Sequence, residues 1–151
     1  NTETSFQRFM IIIEILDRIS QSTETELIDN QFSELPFSKK EAERFNSVFS
    51  YIVENFSTNI KLNDLADIAH LTSTSFCRYF RQVTHKTPSA VIMELRIRHA
   101  CNRLKTSDSP INGICFESGF GNLSHFNKAF KQSTGVTPSR YRQMFRQTKE
   151  K

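Results

Sequence analysis

The chain has no tryptophan, and among its 151 residues there are only four glycines, four prolines and three cysteines. So little Gly and Pro, with no Ser/Gly-rich stretch, excludes a collagenous or low-complexity chain and confines any disorder to the ends. Cys77, Cys101 and Cys115 are odd in number and lack CxxC spacing. That excludes a disulfide framework and reads as reduced, unpaired thiols in a cytoplasmic protein. His70, His85, His99 and His125 form neither HExxH nor an i, i+4 pair, so no metal and no other cofactor is expected. The longest apolar run, residues 9–13, stops at Glu14. It is too short to span a membrane, and no signal-peptide pattern precedes it. The glycines at 119 and 121 lack the companions of a phosphate-binding loop and read as a turn.

What is present is phenylalanine, fourteen of them in a chain that is 37% hydrophobic, so Phe is expected to supply much of the core. The net charge of +4 hides a division. Residues 1–60 carry five Lys/Arg against ten Asp/Glu, a net −5, whereas residues 61–151 carry fifteen against six, a net +9. A basic half of this kind suits a polyanionic partner. The chain begins with Asn rather than Met and is expected to be part of something longer.

Apolar periodicity predicts helices throughout. Phe6, Phe9, Met10, Ile13 and Leu16 place an amphipathic helix over residues 4–20, followed by a polar segment to residue 37. Ser38 and Glu41 form a capping box ahead of a helix over 39–55, whose inner face is Phe45, Val48, Phe49, Ile52, Val53 and Phe56. A short helix over 62–69 turns Leu62, Leu65, Ala66 and Ala69 inward, and Thr72 caps a second over 73–84. Thr87–Pro88 starts a helix reaching about residue 105.

The pattern then repeats. "FCRYFRQVTHKTPS" (76–89) and "FNKAFKQSTGVTPS" (126–139) share Phe76/Phe126, Phe80/Phe130, Gln82/Gln132, Thr84/Thr134, Thr87/Thr137, Pro88/Pro138 and Ser89/Ser139. Ile111, Ile114, Cys115 and Ser118 stand where Leu62, Leu65, Ala66 and Ala69 stood, Asn122 caps a helix over 123–133, and Gly135 suits a left-handed cap. The last helix runs to about 146. The shared Phe, Gln, Thr and Pro read as scaffold.

Short helix, tight turn and second helix are the outline of a helix-turn-helix, whose second helix enters the DNA major groove. With Phe76 and Phe80 buried, Thr74, Cys77, Arg78 and Arg81 point away from the core; with Phe126 and Phe130 buried, Ser124, Asn127, Lys128 and Lys131 do the same. Arg78 suits guanine O6/N7 and Asn127 suits adenine, while Arg81 and Lys131 suit phosphate. Ser73, Thr74, Leu123 and Ser124 lie near the helix starts, in reach of hydroxyl contacts or a thymine methyl.

Residues 42–147 resemble the AraC/XylS-type DNA-binding domain of bacterial transcription regulators. The resemblance is densest in "INGICFESGFGNLSHFNKAFKQSTGVTPSRYR", residues 111–142, where "GF", Asn122, "HFNKAFK" and "GVTPSRYR" fall at that family's spacings. It implies an all-α fold of seven helices, with two helix-turn-helix subdomains (62–84 and 111–133) joined by a long linker helix (88–105). It implies base reading at Thr74, Cys77 and Arg78 and again at Leu123, Ser124, Asn127 and Lys128. It also implies binding to double-stranded promoter DNA and recruitment of RNA polymerase, as an activator would. Residues 1–37 would be the remnant or linker of an upstream effector or dimerisation domain, with residues 38–151 the DNA-binding domain. Any small-molecule effector would bind that upstream domain, and the N-terminal helix would serve a homodimer interface. Departures from the pattern are Gly113 for an acidic residue, Cys115 for Ala, Lys61 for a Ser/Thr cap, and His85 for the loop glycine. The last implies a first loop that differs from the second.

Two rival classes remain. A helical protein-interaction module shares the helical outline. A cysteine enzyme or redox sensor would need a reactive thiol, yet Cys101 and Cys115 lie on apolar faces and only Cys77 is expected at the surface.

Overall fold

The computed structural model describes residues 39–147. The predicted helix over 4–20, the segment to residue 37 and the Ser38 half of the capping box lie outside the described residues. Seven helices and no strand occur among them: α1 (Lys39–Asn55), α2 (Leu62–Ile68), α3 (Ser73–Thr84), α4 (Pro88–Thr106), α5 (Ile111–Glu117), α6 (Leu123–Thr134) and α7 (Pro138–Gln147). The expected all-α architecture of two helix-turn-helix units about a linker helix is the one found.

Several helix starts have a local cause. The Thr72 hydroxyl accepts from Ser75 N–H at the start of α3, Thr87 accepts from Ala90 N–H ahead of Pro88 in α4, and Asn122 Oδ1 accepts from His125 N–H in α6. Lys61, as its side chain suggests, gives α2 no such bond. The repeated threonines are clamps. Thr84 Oγ1 donates to Phe80 O (2.8 Å) and accepts from Lys86 N–H (3.2 Å). Thr134 Oγ1 does the same with Phe130 O (2.8 Å) and Val136 N–H (3.4 Å). The expected difference between the two loops is not found: His85 adopts the left-handed conformation (φ 57°) that Gly135 adopts (φ 79°). The Thr clamp on either side forces the turn, and histidine accepts the strain.

The linker helix α4 serves two cores. Its Val91 and Leu95 are buried with Val48, Phe49 and Ile52 of α1, Leu65 and Ala66 of α2, and Phe76 and Phe80 of α3. Its Ile97, Ala100 and Leu104 join Ile114, Cys115, Phe120, Phe126 and Phe130 in the second core, with Tyr141 of α7 against it. Phenylalanine dominates both, as expected: the Phe76–Phe80 and Phe126–Phe130 pairs sit at 5.5 and 5.6 Å between ring centroids. Two residues expected inward are not. Val53 and Leu62 are each 41% exposed. Val53 lies 100° round the helix from fully buried Ile52, at the edge of the stripe, and Leu62 opens α2 with no preceding turn to cover it.

Candidate nucleic-acid interface

Burial of the Phe pairs decides what α3 and α6 show to solvent. On α3, Thr74, Arg78 and Arg81 are exposed; on α6, Leu123, Ser124, Asn127, Lys128 and Lys131 are exposed. These are the predicted positions, and each helix collects its set on one face. Two residues depart from expectation. Cys77 is half-buried rather than fully outward. Ser73 is also half-buried, and its hydroxyl donates to Asn63 Oδ1 of α2 (2.8 Å), so it ties the two helices of the first unit together.

The copies reveal two residues that pattern reading misassigned. Gln82 and Gln132 were expected to be scaffold because they are identical, yet both are exposed. Two residues beyond fully buried Phe80 or Phe130, a side chain is turned about 200° away from the core. Four residues beyond Arg78 and Lys128, it extends their face by one turn. The signal was present as identity at a position that helix geometry turns outward.

The electrostatics of this face are one-sided. Neither α3 nor α6 contains an Asp or Glu. Among the described residues no carboxylate pairs with Arg78, Arg81, Lys128 or Lys131; the ion pairs found are Lys86–Glu94, Arg103–Glu117 and Arg146–Asp108, none on these two helices. Four cations therefore stand free of internal partners on two outward faces.

α3 and α6 are held differently from behind. Tyr79 of α3 donates its hydroxyl to Glu41 O of α1 (3.1 Å), and Arg44 lies over its ring at 5.8 Å. Burial raises the Tyr79 pKa, so the hydroxyl stays a donor. The equivalent Ala129 of α6 faces a shallow groove shared with Ala90, Met93 and Glu94 of α4. Tyr79 thus ties α3 to α1, whereas Ala129 leaves the groove between α6 and α4 open.

Two of the three thiols are held in their protonated form. Burial raises the pKa of both Cys101 and Cys115, keeping them as thiols, and Cys101 is hydrogen-bonded to Tyr141, itself pushed up to about 12. No group of His, Cys, Asp and Glu suited to a metal occurs among the described residues, and no described helix is long and apolar enough to cross a membrane.

Two helix-turn-helix units with basic, acid-free second helices, fused through one shared helix, define the class: a tandem helix-turn-helix protein. Residues 65–144 match the family model described as a helix-turn-helix domain, and the chain belongs to that family, in its AraC-type form. It is 33% identical over 103 residues to the raffinose operon transcriptional regulatory protein RafR of Pediococcus pentosaceus, covering 68% of this chain and 37% of that protein. The chain thus spans roughly a third of the length of the curated relatives it matches. Its fold is similar to the DNA-binding domain of AdpA, solved in complex with a target DNA (TM-score 0.67, 24% identity, 76% of this chain and 99% of that one). It is similar also to an AraC-type DNA-binding domain protein from Chromobacterium violaceum (TM-score 0.64, 21% identity, 72% and 96%).

Proposed function

We propose that this chain is the DNA-reading part of a bacterial transcription regulator, placing α3 and α6 in successive major grooves on one face of a promoter. The observation that carries the reading is the pair of acid-free outward faces with Arg78, Arg81, Lys128 and Lys131 unpaired among the described residues. Linker length agrees. The 19 residues of α4 span about 28 Å at ~1.5 Å per residue, against ~34 Å between groove faces. Flanking turns and a modest bend in the duplex, at roughly 1–6 kcal/mol, supply the remainder.

In this reading Thr74, Arg78, Ser124, Asn127 and Lys128 contact base edges, with Cys77 and Leu123 offering apolar contact. Arg81 and Lys131 hold phosphate, and Gln82 and Gln132 extend that row. The protein acts by binding rather than catalysis, in the cytoplasm where promoters are. RNA polymerase, an upstream effector domain and pairing through residues 4–20 complete the regulator.

The test is titration of a generic duplex at low and moderate salt, then selection from a random library. Binding that weakens steeply with salt, and two half-sites about one helical turn apart, are expected. Binding without salt dependence would leave a protein-interaction module instead. Arg78→Ala should relax one base position at about 1–3 kcal/mol, whereas Lys131→Ala should weaken matched and scrambled sites alike. Identical profiles for the two variants would reject the division of roles.

A further inference from the structure

The two units meet at a junction that the DNA-facing surface does not use. Arg96, in the middle of α4, donates from Nε to Phe56 O and from Nη2 to Thr58 O, each at 2.7 Å. Those carbonyls belong to the α1–α2 loop of the first unit. The same loop presses on the second unit: a Cβ on Gly119, in the turn after α5, would lie 2.7 Å from Ser57 Cα and 2.9 Å from Arg96 Nε. One turn along α4, the His99 ring sits 5.3 Å from the Phe56 ring, while its Nδ1 is hydrogen-bonded to fully buried Ser118 Oγ at 3.0 Å. Arg103, a further turn along, binds Glu117 at 3.0 Å.

One ridge of α4 therefore stitches the α1–α2 loop to the α5–α6 turn. At the equivalent places the first copy has Ala69 and His70, where the second has Ser118 and Gly119. The repeat diverges where one unit must touch the other. A shared helix alone fixes the axis between the units but leaves each core some freedom to roll about it. The stitched loop and turn remove that freedom.

We infer that this clasp sets the angle between α3 and α6, and with it the half-site spacing that the molecule accepts, Arg96 being its central positioning residue. The inference rests on the DNA reading given above. One base pair of altered spacing moves a half-site by ~3.4 Å and turns it by about a tenth of a revolution, which a rigid pair of readers rejects and a loose pair tolerates.

Two readouts on the full chain test it, one without DNA. Nitroxides attached to genetically encoded keto residues at Ser50 and Ser139, both exposed, report the distance between units with all three cysteines left in place. Wild type should give one narrow distance distribution, and Arg96→Met, which keeps the apolar stem but no donor, a clearly broader one. An unchanged width would overturn the inference. In the second readout, wild type should prefer its selected spacing over one base pair more or less by about tenfold, and Arg96→Met by under about threefold, with single half-site affinity retained. Undiminished discrimination in the variant would equally overturn it. If Arg96→Met melts below the assay temperature, Arg96→Lys, able to keep one bond, should give intermediate values in both readouts; wild-type values would count against the clasp. A narrow wild-type distribution that broadens in the variant, in a protein that binds no duplex, would uphold the clasp as the device fixing the angle and remove the DNA reading.

Discussion

Gly119 and Gly135 both adopt positive φ, 83° and 79°, but they are not equally replaceable. A side chain at Gly135 would meet nothing within 4 Å, whereas one at Gly119 would run into the Ser57 backbone. Gly135→Ala should therefore cost only the left-handed penalty, about 1–2 kcal/mol. Gly119→Ala pays that and a backbone displacement as well, so its melting temperature, followed by circular dichroism, should fall further. His85 shows that the left-handed position itself tolerates a side chain. The two turn glycines of the second copy thus have different meanings, and only the packing around 119 separates them.

At the scale of the helix, α3 and α6 each depend on the capping residue ahead of them and on what supports their back. Asn122→Ala removes the acceptor for His125 N–H at the start of α6 and should destabilise the second unit by about 1 kcal/mol, measurable by denaturant unfolding. Such elements were legible in the sequence because their causes are local. Thr72, Thr87 and Asn122 cap where hydroxyl or amide side chains precede apolar periodicity, and Phe76/Phe80 and Phe126/Phe130 point to the core at helical spacing. The outward positions Arg78, Asn127 and Lys128 followed from those same phenylalanines. Illegible were the contacts between elements distant in the chain. Arg96 reaching back to Phe56 and Thr58, Tyr79 reaching Glu41, and Ser73 bound to Asn63 leave no periodic trace, because each is satisfied by a partner that only the tertiary fold supplies. Gln82 and Gln132 failed for another reason: identity between copies was taken to mean scaffold, though helix geometry turns both side chains to solvent.

At the scale of the whole molecule, the central junction holds a histidine. His99 has a pKa lowered by burial first and by Arg103 second, with Glu117 partly opposing them. A histidine whose folded pKa lies below its unfolded ~6.5 binds fewer protons folded than unfolded, so stability is complete above that value and declines as pH falls beneath it. Melting temperature should accordingly drop between pH 7 and pH 5, and His99→Gln should flatten that limb. A wild-type profile as flat as the variant's would show that the ring protonates freely in place.

The linker helix joins the two units head to tail, and a head-to-tail pair has no two-fold axis. A reader built by pairing identical chains sees a palindrome and is indifferent to which strand it approaches. On the reading proposed above, this chain presents Cys77-Arg78 to one groove and Asn127-Lys128 to the next, in an order fixed by the covalent chain. Such a molecule has a heading. On that reading, inverting the bound site reverses the order in which the two units follow each other along the duplex, so even a single bound copy has a direction.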